Sequence, residues 1–291
     1  MSLPEFIYTV LLKPGFLKKT ANWALKKIIP PKTNVGSAVV YLNPNDPVIS
    51  GALALHVFES DEIKLFKRLF RPEMTFLDVG ANVGLYSAIA LSTNNFSGKI
   101  ICVEPHNESR LYLEQTLAAN KGELSDINLI LSAAAVSDFH GTALLHNNPQ
   151  NKGDNRLYAD ALLEDSESVA VTTIDKICLD NNIDKINFIK IDVQGAEGKA
   201  IAGASNILER SNNCIILSEL WPYGLSQYGS DIYSYLSLLE SLKFTLFKLE
   251  KKGLLSPLDV DEIAKNYRGR KYTNIVGAKG QYLEMVELIE S

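Results

Sequence analysis

From residue 75 onward the chain alternates short apolar, β-rich runs with stretches of helical periodicity. That alternation restricts the fold more than any other feature. The β-rich runs fall at residues 75–79, 99–103, 128–131, 187–191, 214–218, 244–249 and 274–276. Helix-period stretches lie between several of them, at 84–91, 109–120 and 197–208. Short strands separated by helices need right-handed crossovers, and so form a mainly parallel sheet with helices on both faces. The expected fold is therefore α/β, with a seven-stranded sheet. Residues 141–172 break the rhythm and read as an inserted hairpin or lid. Upstream, residues 38–42 are a short strand candidate. Two helical patterns follow at 48–58 and 61–70, the second closed by Pro72.

The first thirty or so residues have a different character. Lys13, Lys18, Lys19, Lys26, Lys27 and Lys32 face almost no acid beyond Glu5. Phe6, Leu11, Phe16, Leu17, Trp23 and Ile28 are interleaved at roughly helical spacing, until Pro30 and Pro31 stop the pattern. A basic amphipathic arm of this kind suits peripheral contact with an anionic membrane surface, or packing on the main domain or on a second subunit. Residues 1–45 are accordingly set apart from a main domain at 46–291.

Bulk composition excludes several classes. The 291 residues carry 29 Lys and Arg against 34 Asp and Glu, a net charge of -5, which argues against a general nucleic-acid binder. Cys102, Cys178 and Cys214 sit in apolar stretches without metal-ligand spacing and read as small buried hydrophobes in a reducing compartment. No metal is expected from the spacing of ligand-type residues. No run is apolar and long enough to span a bilayer, and no secretory signal pattern opens the chain, so a cytoplasmic location is expected.

The run 76–86 reads as strand, tight turn and helix. Gly80 lets the backbone turn sharply beside a ligand, and Asn82 tolerates left-handed geometry. Gly84 allows close packing of the helix start. The following strand ends at Glu104, well placed to accept both hydroxyls of a ribose, since a carboxylate is a two-oxygen acceptor. Asp78 distinguishes between adenosine cofactors. A pyrophosphate at this turn would meet a carboxylate immediately before the glycine and be repelled. S-adenosylmethionine has no phosphate and presents an ammonium and a sulfonium. Asp192 and Glu219 end further strands, so a rim of Asp78, Glu104, Asp192 and Glu219 suits a cation.

These residues resemble a known family, the FkbM-type methyltransferases. The run 76–87 (FLDVGANVGLYS) is similar to that family's cofactor turn, and 103–105 (VEP) to its ribose-binding strand end. Residues 135–138 (AVSD) followed by Gly141 resemble its next segment. Residues 173–175 (TID) and 189–197 (IKIDVQGAE), with Gly203 after them, resemble its most distinctive block. Residues 153–157 (GDNRL) look like a loop found in part of the family. The resemblance runs from about Asp46 to Glu219 and fades on either side. It implies a Rossmann-like class I methyltransferase sheet with S-adenosylmethionine as donor. The implied acceptor is a hydroxyl on a sugar, glycan or glycosylated secondary metabolite. The implied cofactor contacts are Asp78, Gly80, Ala81, Asn82, Gly84, Tyr86, Glu104, Pro105, Ala135 and Asp192.

Methyl transfer from a sulfonium is an in-line displacement, so holding the reactants about 3–3.5 Å apart supplies much of the catalysis. For an alcohol acceptor, a base adds about 10²–10⁴-fold. Asp192, Glu219 and His140 are the catalytic candidates. On the acceptor side, Arg156 suits an acidic group, Trp221 suits stacking on a sugar ring, and Gln194 and Glu197 lie in the distinctive block. Two other function classes compete. One is an NAD(P)-dependent oxidoreductase of the same topology. The other is a non-catalytic interaction module that retains the cofactor.

Overall fold

The computed structural model describes residues 29–122, 129–148, 151–159 and 165–289. The basic amphipathic pattern before Ile29 lies outside the described residues. Each of the seven apolar runs from residue 75 onward forms a strand. They are β3 (Thr75–Val79), β4 (Lys99–Val103), β5 (Leu129–Ser132), β9 (Phe188–Ile191), β10 (Cys214–Leu220), β11 (Thr245–Leu249) and β13 (Thr273–Lys279). An eighth, the short edge strand β12 (Leu255–Pro257), completes the order β12-β11-β13-β10-β9-β3-β4-β5. Five neighbouring strands, β10-β9-β3-β4-β5, pair in parallel, whereas β13 is antiparallel to both β10 and β11. The sheet is thus the expected Rossmann-like, mainly parallel sheet with one edge strand more than the sequence pattern predicts. Three residues ending in proline carry too little periodicity to register as a strand.

Side chains alternate across the sheet into two separate cores. Phe76, Ile100, Phe188 and Ile215 enter one core, and Leu77, Ile101, Ile189 and Ile216 enter the other, all fully buried. Burial on both faces explains why these strands read as continuous apolar runs. The first core is held by rings: Phe66 stacks on Phe70 at 5.0 Å and meets Tyr86 and Phe188 edge-on at 5.2 and 5.0 Å. Truncating such a ring to alanine costs about 3–5 kcal/mol.

Eleven α-helices are present among the described residues. They are α1 (Ile49–Ala54), α2 (Ser60–Leu69), α3 (Leu85–Leu91), α4 (Asn107–Lys121), α5 (Ile174–Asp180), α6 (Glu197–Ala202), α7 (Ser205–Arg210), α8 (Pro222–Gln227), α9 (Ile232–Ser241), α10 (Val260–Asn266) and α11 (Gln281–Glu287). The single helix read over 197–208 is two helices broken at Gly203. There a Cβ would sit 2.1 Å from the Ser137 carbonyl oxygen, so the chain must turn where it touches its neighbour. The pattern at 48–58 is also shorter than its periodicity suggests. It ends at Ala54, and His56 is exposed with a φ of 56°. No helix among the described residues is long and apolar enough to cross a membrane.

Three strands form a separate small sheet, β6 (Ala135–Val136), β8 (Asp165–Thr172) and β7 (Gly141–Asn147), in the order β6-β8-β7. β7 and β8 are an antiparallel hairpin, the insertion seen in the sequence as a break in rhythm. A second hairpin joins β1 (Lys32–Val35) to β2 (Ala38–Tyr41) and packs on α4, where Asn120 Oδ1 accepts from the Val39 N–H at 2.9 Å.

Candidate functional site

The carboxyl ends of β3, β4 and β9 meet at one cleft, as an open parallel sheet requires. Gly80 has a φ of 77°, and a Cβ there would lie 2.0 Å from the Asp192 carbonyl oxygen. Only glycine lets the end of β3 pass this close to the end of β9. The Gly80 and Ala81 N–H groups both donate to the Val103 carbonyl, at 2.9 and 3.1 Å, tying the turn to β4. Asn82 follows in the left-handed region at φ 49°. Gly84 admits α3 onto α4, since its Cβ would meet a Leu113 methyl at 2.6 Å.

Two carboxylates are oriented here by backbone and hydroxyl donors. Asp78 Oδ2 accepts from Ser87 Oγ at 2.6 Å and from the Ser87 N–H at 3.1 Å. Glu104 Oε2 accepts from the Asn82 N–H at 2.8 Å, and Oε1 from the His106 N–H at 2.9 Å. Each Glu104 oxygen keeps lone-pair capacity for a further donor. Burial pushes Asp78 up to about 6 and Glu104 up to about 7, against these hydrogen bonds. The Asn82 side-chain oxygen is buried and has no protein partner among the described residues. Two part-satisfied carboxylates and an orphaned acceptor make a wall that fits a ligand rich in donors, such as a ribose diol and an ammonium.

The same cleft contains a group the sequence reading missed. Lys190, in the middle of β9, is buried, with Nζ 3.7 Å from Asp192 Oδ2 and 5.4 Å from the centre of the Tyr86 ring. Burial pulls this ammonium down, but the fields of Asp192, Glu59, Glu219 and Asp78 together hold it above the ordinary lysine value. Glu59 was missed as well. It accepts from the Tyr86 hydroxyl at 2.6 Å, and burial pushes it up to about 7. The acidic rim inferred from the sequence therefore has an internal counter-cation. Gln194, at φ 52°, donates to Asp192 Oδ1 at 2.6 Å and to Glu219 Oε1 at 3.4 Å. Glu219 is pushed well above the usual carboxylate range, by burial first and then by the charges of Asp192 and Glu197.

The cleft encloses about 970 Å³, part of it open to solvent. Asp78, Gly80, Ala81, Asn82, Tyr86, Glu104, Pro105, Ala135, Asp192 and Gln194 all line it. Gly84 does not; its role is the packing of α3 on α4. The loop 151–157 covers the turn: Lys152, Gly153, Asn155 and Leu157 line the cleft, and Gly153 packs against Ile49 and Asn82.

Four expected site residues are employed elsewhere. His140 is exposed, contacts Thr172 Oγ1 at 3.2 Å and lines a separate groove with Asp138 and Asp175, because the β6–β7 connection leads away from the cleft. Glu197 is fully buried and accepts from the Val193 and Gly195 N–H groups at 3.0 and 2.9 Å, so it holds the turn rather than facing an acceptor. Arg156 is buried and pairs with Asp154 at 2.7 Å, its guanidinium 4.8 Å above the Trp221 ring. Trp221 is covered in turn and donates through Nε1 to the Gly269 carbonyl at 2.7 Å. His106 caps α4, its side chain accepting from the Ser109 N–H. All three cysteines are free and buried.

Asp192, Glu197 and Glu219 each offer an oxygen, the three within 4.8 Å of one another. An oxygen-ligated divalent ion needs such a grouping. Here Glu197 is committed to backbone N–H groups and the Lys190 ammonium already faces Asp192, so two of the three carboxylates are engaged by protein donors.

A family model described as the methyltransferase FkbM domain matches residues 78–246. No curated protein sequence matches the chain. Among solved structures, methyltransferase FkbM from Methylobacillus flagellatus KT aligns with a TM-score of 0.48 and 14% identity, over 89% of this chain and 58% of that one. This chain thus spans under two thirds of that relative's length. Magnesium protoporphyrin IX methyltransferase from Synechocystis PCC 6803, solved with bound SAM, aligns with a TM-score of 0.43 and 9% identity, over 96% and 95% of the two chains. A putative methyltransferase from Streptococcus mutans in complex with SAH gives 0.43 and 10%, over 76% and 98%.

Proposed function

The chain belongs to the FkbM methyltransferase family, whose methyl donor is S-adenosylmethionine, and from that premise we propose that its cleft methylates a hydroxyl on a sugar, glycan or glycosylated small molecule. The observation that supports this reading best is the grouping of Asp192 with Gln194 and Lys190 in the cleft that Asp78 and Glu104 also line, with Lys190 the neighbour of Asp78 across β9 and β3.

The donor supplies a methyl group on a sulfonium whose leaving group is a neutral thioether. The residues divide the remaining work. Glu104 accepts the ribose hydroxyls through the lone pairs that Asn82 and His106 leave free. Asp78 offers its second oxygen to the ammonium. Asp192 takes the proton of the attacking hydroxyl, a role worth about 10²–10⁴-fold. Gln194 holds one oxygen of that carboxylate and Lys190 faces the other. Loop 151–157 excludes water from the turn.

Calorimetric titration with S-adenosylhomocysteine, with NAD⁺ in parallel, tests the cofactor. Saturable binding of the first alone, lost in an Asp78→Asn, Glu104→Gln variant, is the expected result. Labelled methyl transfer to neutral and acidic sugars then tests the acceptor. Transfer only to an amine would overturn the hydroxyl reading, and cofactor affinity without transfer to any acceptor would favour a binding module.

A further inference from the structure

Strand β13 runs antiparallel to β10, with Leu220 opposite Thr273 and Glu219 opposite Asn274. The segment entering β13 therefore sits at the carboxyl rim of the sheet. That segment contains Arg268, Gly269, Arg270 and Lys271, three exposed cations in four residues of a chain whose net charge is -5. The segment is anchored: Trp221, directly after β10, donates to the Gly269 carbonyl at 2.7 Å. On its other side the Trp221 ring carries the Arg156 guanidinium, held by Asp154 in the loop that covers the cleft. Arg270 lies close enough to Asp154 for its charge to act on that carboxylate. Tyr223 and Tyr272 add exposed rings, 40% and 56% accessible.

Two nearby acids are also engaged by other cations. Asp154 is paired with Arg156, and Glu262 on α10 with Lys248 at 3.2 Å. Guanidinium groups and an ammonium beside exposed aromatic rings match a phosphate next to a sugar, because the fork geometry takes the oxygens and the rings take the apolar sugar face.

We infer that Arg268, Arg270 and Lys271 form a phosphate-binding subsite at the mouth of the cleft, and that the acceptor is a phosphorylated sugar. This deepens the acceptor reading above and rests on it.

The test uses the full chain saturated with S-adenosylhomocysteine, titrated with glucose 1-phosphate, glucose and inorganic phosphate at low and high salt. An Arg268→Gln, Arg270→Gln, Lys271→Gln variant serves as the comparison. Glucose 1-phosphate should bind saturably, more weakly at high salt and at least about tenfold more weakly to the variant, with glucose unbound. S-adenosylhomocysteine affinity should stay within about twofold in both proteins, since the three residues lie outside the cofactor wall. Trp221→Phe, which keeps the ring but frees the segment, should also weaken glucose 1-phosphate. Equal binding of glucose 1-phosphate by wild type and variant, or binding by neither, overturns the subsite. So does sedimentation with phosphatidylglycerol vesicles that depends on the three residues while glucose 1-phosphate binding does not. Failure to bind S-adenosylhomocysteine would instead strike the methyltransferase reading, and the phosphate titration would still be interpretable alone.

Discussion

Lys190 Nζ lies 3.7 Å from Asp192 Oδ2; Lys190 is in β9 and Asp192, the first residue past it, follows two positions later, so both side chains stand on one face. The ammonium is 4% exposed and serves Glu59, Glu219 and Asp78 as well as Asp192. Without it, those carboxylates would have to be buried uncompensated or be protonated. Lys190→Met should therefore cost about 3 kcal/mol at pH 8 and much less at pH 5.5, where protonation removes the negative charge. Urea unfolding at both values measures the difference; an equal loss at both would show that packing, not charge, is what the lysine supplies.

Glu104 gives cofactor affinity a pH dependence of known sign. Its carboxyl is pushed up to about 7, whereas the ribose hydroxyls need an ionised acceptor. S-adenosylhomocysteine should bind about tenfold more weakly at pH 6 than at pH 8, and Glu104→Gln should bind weakly at both. Stability runs the other way. Asp78, Glu59, Glu104 and Glu197 hold protons more tightly folded than unfolded, so the unliganded protein loses stability as pH rises from about 4.5 to about 7. Calorimetry and thermal unfolding over that window test both slopes, and a flat affinity profile would remove Glu104 from the ribose contact.

Two glycines line the cleft for different reasons and should fail differently. Gly80→Ala forces a Cβ to 2.0 Å from a backbone oxygen at φ 77°, and should cost about 3 kcal/mol or more. Gly153→Ala meets the far end of the Ile49 side chain at 2.1 Å, which can move aside. Its stability should change by under about 1 kcal/mol, while S-adenosylhomocysteine dissociates faster because the loop no longer seats on Asn82. Stopped-flow release separates the two; an unchanged off-rate in Gly153→Ala would mean the loop does not cover the cofactor.

The seven long strands and the glycine turn were legible because burial on both faces writes continuous apolar runs, and because a sharp turn at Gly80 needs a residue without Cβ. Asp78 and Glu104 were legible as acids at strand ends. Glu59 and Lys190 were not. Glu59 precedes α2 and reaches the cleft only through the fold, with no sequence spacing to tie it to Tyr86. Lys190 did leave a signal: a lysine inside the fully buried run of β9 is rarely accidental. Glu197 and His140 misled because a polar residue beside a glycine looks the same whether it faces the ligand or serves the turn. Hydrogen bonds to Val193 and Gly195 give Glu197 the second role, and the course of the β6–β7 connection takes His140 away from the cleft.

Asp192 and Glu197 are five positions apart and both acidic, yet they should separate cleanly on mutation. Asp192 lines the cleft, is 24% exposed and is held by Gln194 at 2.6 Å. Asp192→Asn keeps the shape and the Gln194 neighbour, so folding and S-adenosylhomocysteine affinity should change little. Methyl transfer to a hydroxyl should fall about 10²–10⁴-fold. Glu197→Gln replaces an oxygen that accepts a backbone N–H with an amide donor, in a site with no solvent access. That leaves a buried donor facing a donor and should cost about 1–3 kcal/mol of stability. It should lower turnover only as far as the 193–195 turn loosens. Unfolding and turnover measured side by side decide between the roles. If Asp192→Asn retains full activity on a hydroxyl acceptor, positioning alone drives the reaction; if Glu197→Gln is stable but inactive, the base is Glu197.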